Sequence, residues 1–130
     1  ETGHLVIATL HTHGAVNAID RIIDAFPSTQ HSQIRVQLAA VLRTVVAQQL
    51  LPDLHGGQVP ACEILQVTGA VRSLIRENRN HQLSGVMASG GKEGMISMDQ
   101  SIASLYRAGK ITRDTALQHA DNPEQLKRNL

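Results

Sequence analysis

The sequence predicts an α/β first half followed by an all-helical second half. Three observations carry that expectation. "HLVIATLH", residues 4–11, is a continuous apolar run ending in a polar turn, "THG", before helical spacing begins. Such unbroken runs mark strands covered on both faces, as in parallel sheets. A second apolar stretch, "VVAQQLLPDL", meets "VPACEILQV" across "HGGQ", the pattern of a β-hairpin. After Thr68-Gly69 the remaining apolar residues recur at helical spacing.

Each element has its own local reason. Residues 4–11 are expected as a buried strand. Val16, Ile19, Ile22, Ile23 and Phe26 share one face of a helix over 15–26, with Asp20, Arg21 and Asp24 mostly opposite. Pro27 stops that helix, and Ser28 or Thr29 can cap the next. Ile34, Leu38, Val41, Leu42 and Val45 form the next helix's apolar stripe. The hairpin strands are expected from about 45 to 51 and across "VPACEILQV", with Pro60 placing the second near an edge or a bulge. Helices are expected near 70–77, 80–89, 97–108, 113–120 and 123–129. Thr112 and Asn122 are caps, and Pro123 takes the first helical position of the last helix. One strand, a helix pair and a hairpin do not complete a sheet, since parallel strands need further crossovers. The chain also opens directly on apolar residues. Both features predict the later part of a larger α/β domain.

Composition narrows the function classes. The chain has 130 residues, 42% of them hydrophobic, which suits one domain with a sizeable core. No apolar run approaches the roughly 18 residues of a transmembrane helix, and the start lacks a signal-peptide pattern. Twelve basic residues against eleven acidic give a net charge of +1, and the aromatics are Phe26 and Tyr106. Neither an electrostatic footprint nor a base-stacking platform for nucleic acid is present. The single Cys62 permits no intrachain disulfide and fits a reducing cytoplasm.

Four motifs could carry chemistry. In "LHTHG" a His at a strand's carboxyl end, before a helix N-terminus, can face a phosphate or a bound water. His11 is the candidate, with Thr9 and Thr12 as hydroxyl donors; a His satisfied by backbone at a strand end is the plainer reading. His4, His11 and His13 also raise a zinc reading, which needs a third ligand such as Cys62 or Glu63 at a defined place. "SGGKEGM", residues 89–95, holds Gly91-Lys92, but Glu93 stands where a phosphate loop needs Ser or Thr. It reads as a helix connection, so no metal or phosphate site is assigned there. "AVRSLIREN", residues 70–78, is a short amphipathic helix with Val71, Leu74 and Ile75 on its apolar side. Arg72 and Arg76 lie one turn apart and repel unless something anionic is near, so they form either a solvated face or a docking surface. Glu63, inside "ACEILQV", must face solvent or find a partner, and the alternation permits an outward face.

Taken in order, these pieces resemble the type IV pilus retraction ATPases, the twitching-motility family called PilT. "TGHLVIATLHT" resembles that family's His box, and "AIDRIIDAFP" resembles the segment directly after the box. "AVRSLIRE", comprising Ala70, Val71, Arg72, Leu74, Ile75, Arg76 and Glu77, is similar to the family's AIRNLIRE motif. "GMISMDQSIASLYRAGKIT" resembles its terminal segment, with Ser97 in place of a Thr.

The resemblance implies the later part of a RecA-like ATPase core over residues 1–68 and a C-terminal helical region over 69–130. It implies that His4 and His11 are the box histidines, with His11 the catalytic candidate and His4, His11 and Thr12 beside the nucleotide. ATP and Mg2+ would be used by a full-length parent. The phosphate loop (Walker A), Asp box and Walker B glutamate lie upstream of the His box in the family, and none is in this sequence. The parent would be a cytoplasmic homohexamer at the inner face of the inner membrane, working on a pilus-base platform protein. Pilus-extension and type II secretion ATPases carry a four-cysteine zinc module where this chain has a direct hairpin, which points to the retraction branch. The alternatives are a non-catalytic module docking on the pilus base through Arg72 and Arg76, or a related type II secretion or pilus-extension ATPase.

Overall fold

The computed structural model describes residues 3–130, so the first two residues of the segment expected over 1–68 lie outside it. Helix α1 (Ala15–Asp24) and helix α2 (His31–Val41) flank a short 3-10 turn (Ser28–Gln30) and lead into strands β1 (Thr44–Pro52) and β2 (Gln58–Gln66). Helices α3 (Gly69–Arg76), α4 (Leu83–Ser89), α5 (Met98–Arg107), α6 (Arg113–His119) and α7 (Pro123–Asn129) complete the described chain. No helix among the described residues is long and apolar enough to cross a membrane.

β1 and β2 form the hairpin, antiparallel and in register from Thr44 opposite Gln66 to Pro52 opposite Gln58. Its turn is held by Asp53, whose Oδ1 accepts from the His55 and Gly57 backbone N–H groups, each at 2.8 Å. Those N–H groups hold the Asp53 carboxyl below its usual range. Pro60 sits in register opposite Leu50, without a bulge. The outer edge of β2 is extended by a two-way bridge in which Ile64 N–H donates to Ile96 O at 2.8 Å and Ile96 N–H returns to Ile64 O at 3.1 Å.

Two apolar clusters sit along the hairpin. At its open end Leu65 and Val67 pack with Ile19 and Ile23 of α1, Ala39 of α2, Val71 and Ile75 of α3, and Leu83 and Met87 of α4. Near its tip Leu51 and Ala61 pack with Met98, Ile102, Ala116 and Leu126 of the last three helices. The helix starts are capped as local sequence dictates. Thr112 accepts from Thr115 N–H, Asn122 accepts from Gln125 N–H, and Ser97 and Gln100 form a reciprocal capping box.

The structure corrects several expectations. Residues 4–11 form no strand, and Leu5, Val6 and Ile7 are 87%, 79% and 87% exposed. A strand exists only by pairing, and neither β1 nor β2 pairs with this segment. α1 ends at Asp24 and leaves Phe26 41% exposed, because the chain is already turning toward Pro27. α2 ends at Val41, itself exposed, because Leu42 adopts an extended backbone and Val45 already belongs to β1. The helix expected over 80–89 opens with a 3-10 turn, Asn80–Gln82. "SGGKEGM" ends α4 and runs through a third 3-10 turn to Gly94 at φ +80°. Gly90 is required there by close approach, because a Cβ would lie 2.8 Å from Met95 Sδ and 2.9 Å from Val86 O.

Candidate site at the turn before helix α1

The polar turn ends at Gly14, whose φ of +81° places it in the region that glycine tolerates best. Gly14 is the N-cap of α1 and has no side chain to cap it, while Gly14 O accepts from Ala18 N–H at 3.2 Å as the helix begins. His11 and His13 are exposed, Thr12 is half-buried, and His4 and Thr9 are exposed. Asn17 Nδ2 donates to His13 O at 2.6 Å, which fastens the turn to the first turn of α1. The structure therefore presents His11, Thr12 and His13 in succession on the turn that leads into α1.

Glu63 caps the helix that Gly14 cannot. It is only 5% exposed, so the outward orientation that alternation allowed is not the one adopted. Its Oε1 accepts from Ala15 N–H at 2.7 Å, and its Oε2 accepts from Met98 N–H at 3.3 Å. One carboxylate thus serves the first turns of both α1 and α5, where helix dipoles favour negative charge. A Cβ at Gly14 would stand 3.4 Å from Glu63 Oε1, so the turn packs directly on this carboxylate. Sequence reasoning left Glu63 without a role. The available signal was its period-2 alignment with buried Ala61 and Leu65, masked by apolar Cys62 and Ile64 on the other face.

The same register places Cys62 opposite Gln48 and Glu63 opposite Ala47, so their side chains leave opposite faces of the hairpin. Cys62 and Glu63 cannot jointly complete a His-based zinc site. Among the described residues no three His, Cys, Asp or Glu side chains gather closely enough to hold a metal.

Beside Glu63 lies a cavity of about 830 Å3, lined among others by Asp99, Gln100, Arg107 and Asp121. None of His4, His11 and Thr12 lines it. Asp99 braces its rim, its two carboxylate oxygens accepting from Asp121 N–H at 2.7 Å and Asn122 N–H at 3.0 Å. Burial, then the charges of Asp99 and Glu63, push the Asp121 carboxyl above its usual range, against the opposing influence of His13. The folded state then holds this proton more tightly than the unfolded chain, so stability falls as pH rises through the raised pKa. Asp121→Asn should raise stability at neutral pH, by no more than about 0.5 kcal/mol given solvent screening. Urea midpoints measured across pH should show the gain vanish on acidification, once Asp121 is protonated in both folded and unfolded chains.

The "AVRSLIRE" helix divides its residues. Val71 and Ile75 are fully buried and Leu74 packs beside them, while Ala70, Arg76 and Glu77 are exposed. Arg72 turns toward α2 and donates to Ala39 O at 3.0 Å, Ala40 O at 3.1 Å and Val67 O at 3.3 Å. These carbonyls include two at the end of α2, where a cation is favoured. They give Arg72 the electronegative partners that the sequence could not name. Among the described residues Arg76 reaches Ser73 Oγ alone, at 3.2 Å, and Glu77 pairs with Arg79 at 3.1 Å on the surface. Arg72→Ala should therefore cost about 1–2 kcal/mol and Arg76→Ala under about 0.5 kcal/mol, read by denaturant unfolding.

Comparison with known proteins gives the chain's relatives. The chain is 45% identical over 127 residues to a twitching motility protein of Neisseria gonorrhoeae, covering 97% of this chain and 34% of that protein. It is 40% identical over 126 residues to the type IV pilus retraction ATPase PilT of Pseudomonas aeruginosa, covering 97% of this chain and 37% of that one. The chain spans about a third of the length of these relatives. Its fold superposes on the crystal structure of the pilus retraction motor PilT with bound ADP at a TM-score of 0.86 and 41% identity, covering 98% of this chain and 36% of that one. The α/β and helical parts expected from sequence match that ATPase fold, and the resemblance to pilus retraction ATPases extends along nearly the whole chain. Residues 1–122 match the model of the type II/IV secretion system proteins, and the chain belongs to that family.

Proposed function

We propose that this chain is the C-terminal part of the motor domain of a longer, ATP-hydrolysing protein that retracts type IV pili. The observation that carries the proposal is the 41% identity and 0.86 TM-score to a pilus retraction motor across 98% of the chain. In this reading His11 lies beside the γ-phosphate or its attacking water, and Thr12 and His4 complete the nucleotide-facing segment. The exposed position of His11 before α1 suits that role.

The sequence contains no G-x-x-x-x-G-K-[ST]. Among the described residues no cluster of carboxylates makes up a magnesium site either. The phosphate grip and Mg2+ would be supplied by other parts of the parent, and this chain by itself would be inactive. Residues 1–68 would belong to the RecA-like core and residues 69–130 to the helical region that bears the docking motif. The parent would work in the cytoplasm as a homohexamer at the inner face of the inner membrane, against a platform protein. Ala70, Arg76 and Glu77 are the exposed residues of the motif, and Arg76 is the one available for charged docking. The direct hairpin, with Cys62 as its one cysteine, supports the retraction branch over the extension and secretion ATPases.

Deleting the parent gene tests the assignment. Cells should keep surface pili and lose twitching, and the intact gene should restore it. Normal twitching in the deletion strain, or loss of pilus assembly instead, would overturn it.

A further inference from the structure

We propose that Glu63 is a positioning residue, which holds the His11-bearing turn at a fixed place relative to helix α5 and so couples that turn to the C-terminal helices. The inference rests on the functional reading of His11 above. It starts from an asymmetry in how the two sides of Glu63 are attached. On the α5 side the strand is already secured, because Ile64 and Ile96 exchange two backbone hydrogen bonds directly before the Ser97 cap. On the α1 side the cap residue is Gly14, with no side chain to fix its own helix start. There the 2.7 Å bond from Ala15 N–H to Glu63 Oε1 ties the turn to the strand.

The carboxylate is rigid, and its other oxygen is engaged by Met98 N–H. Displacing α1 relative to α5 must break one of these bonds or drag the other helix. The path continues past α5. Asp99, in its first turn, accepts from the amides of Asp121 and Asn122, which lead into α7. A hydrogen-bonded path therefore runs from the His11–Gly14 turn through Glu63 to the start of α5 and on to the last helix. A buried carboxylate is expensive to keep unless its partners need it. Both of its partners here are amides of helix first turns, donors with no carbonyl inside their own helix to accept them.

The test uses the full-length parent and the variant Glu63→Gln, which is nearly isosteric but keeps one acceptor oxygen for two amides. We expect kcat for ATP to fall about 10-fold or more while KM changes little, as for a displaced reacting group. In the His11→Ala background Glu63→Gln should cause no further fall, because both changes act through one turn. Amide exchange gives a second readout, independent of turnover. Ser97→Ala, which loosens the α5 cap, should speed exchange at Ala15, and should cease to do so when combined with Glu63→Gln.

An unchanged kcat, a fall that adds fully to that of His11→Ala, or no transmitted exchange effect overturns the role of Glu63. If Glu63→Gln does not fold, Glu63→Asp takes its place, since it keeps the charge but is too short to span both amides. Failure of both to fold makes Glu63 a stability residue only and equally overturns the proposal. If His11→Ala itself leaves kcat unchanged, the reading of the turn fails. If His11→Ala lowers kcat and Glu63→Gln does not, only the coupling fails.

Discussion

His11→Ala in the full-length parent should lower kcat for ATP hydrolysis by about 100-fold while leaving KM within about threefold. The expectation comes from placement. His11 is exposed on a turn that leads into the N-terminus of α1, where a ring nitrogen can meet a phosphate oxygen or a water. A group so placed acts mostly where charge redistributes in the transition state, and it contributes little to binding the ground state. Steady-state phosphate release at varied ATP separates the two parameters. A raised KM with unchanged kcat would make His11 a ground-state contact and remove it from the chemistry.

The largest effect on stability should come from Leu65→Ala. Leu65 is fully buried in β2, where it faces α1, α2, α3 and α4 within one cluster. Truncation there loses the transfer energy of the removed atoms and leaves a cavity that four helices cannot all close. The cost should be about 3–4 kcal/mol by urea unfolding. Leu50→Ala, two strand positions from the tip and on the opposite, exposed face of the hairpin, is the control and should cost under about 0.5 kcal/mol. Equal costs for the two would mean that the hairpin's inner face does not organise the core.

The parts of the fold legible in the sequence are those fixed by near neighbours. "HGGQ" between two apolar runs gave the hairpin, because a tight turn and its strands are local. Thr112 and Asn122-Pro123 gave two helix starts for the same reason. The apolar run at 4–11 did not predict its own burial, because a strand is buried by what pairs with it and covers it. Composition cannot state that, and Leu5, Val6 and Ile7 stand exposed.

The site divides along the same line. The His11–Gly14 turn was visible as a polar break before helical spacing. Glu63 was not, since β2 carries apolar residues on both faces and its alternation supports either orientation. Only the approach of two helix starts, 48 and 35 residues away in sequence, shows what the carboxylate is for. Arg72 was hidden in the same way. A pair of arginines at helical spacing looks like one charged face until α2 offers its terminal carbonyls to one of them.

In the proposed function this chain bears the His-turn side of an ATP-hydrolysing site and leaves the phosphate grip to the rest of a longer motor. The most direct measurement is steady-state phosphate release from ATP by the purified full-length parent and by this 130-residue chain, in one assay. The parent should turn over ATP and the chain's rate should be indistinguishable from buffer, because phosphoryl transfer needs a phosphate-cradling loop and a held magnesium ion. Release by the pure chain clearly above the buffer rate, or a parent that does not hydrolyse ATP, would contradict it.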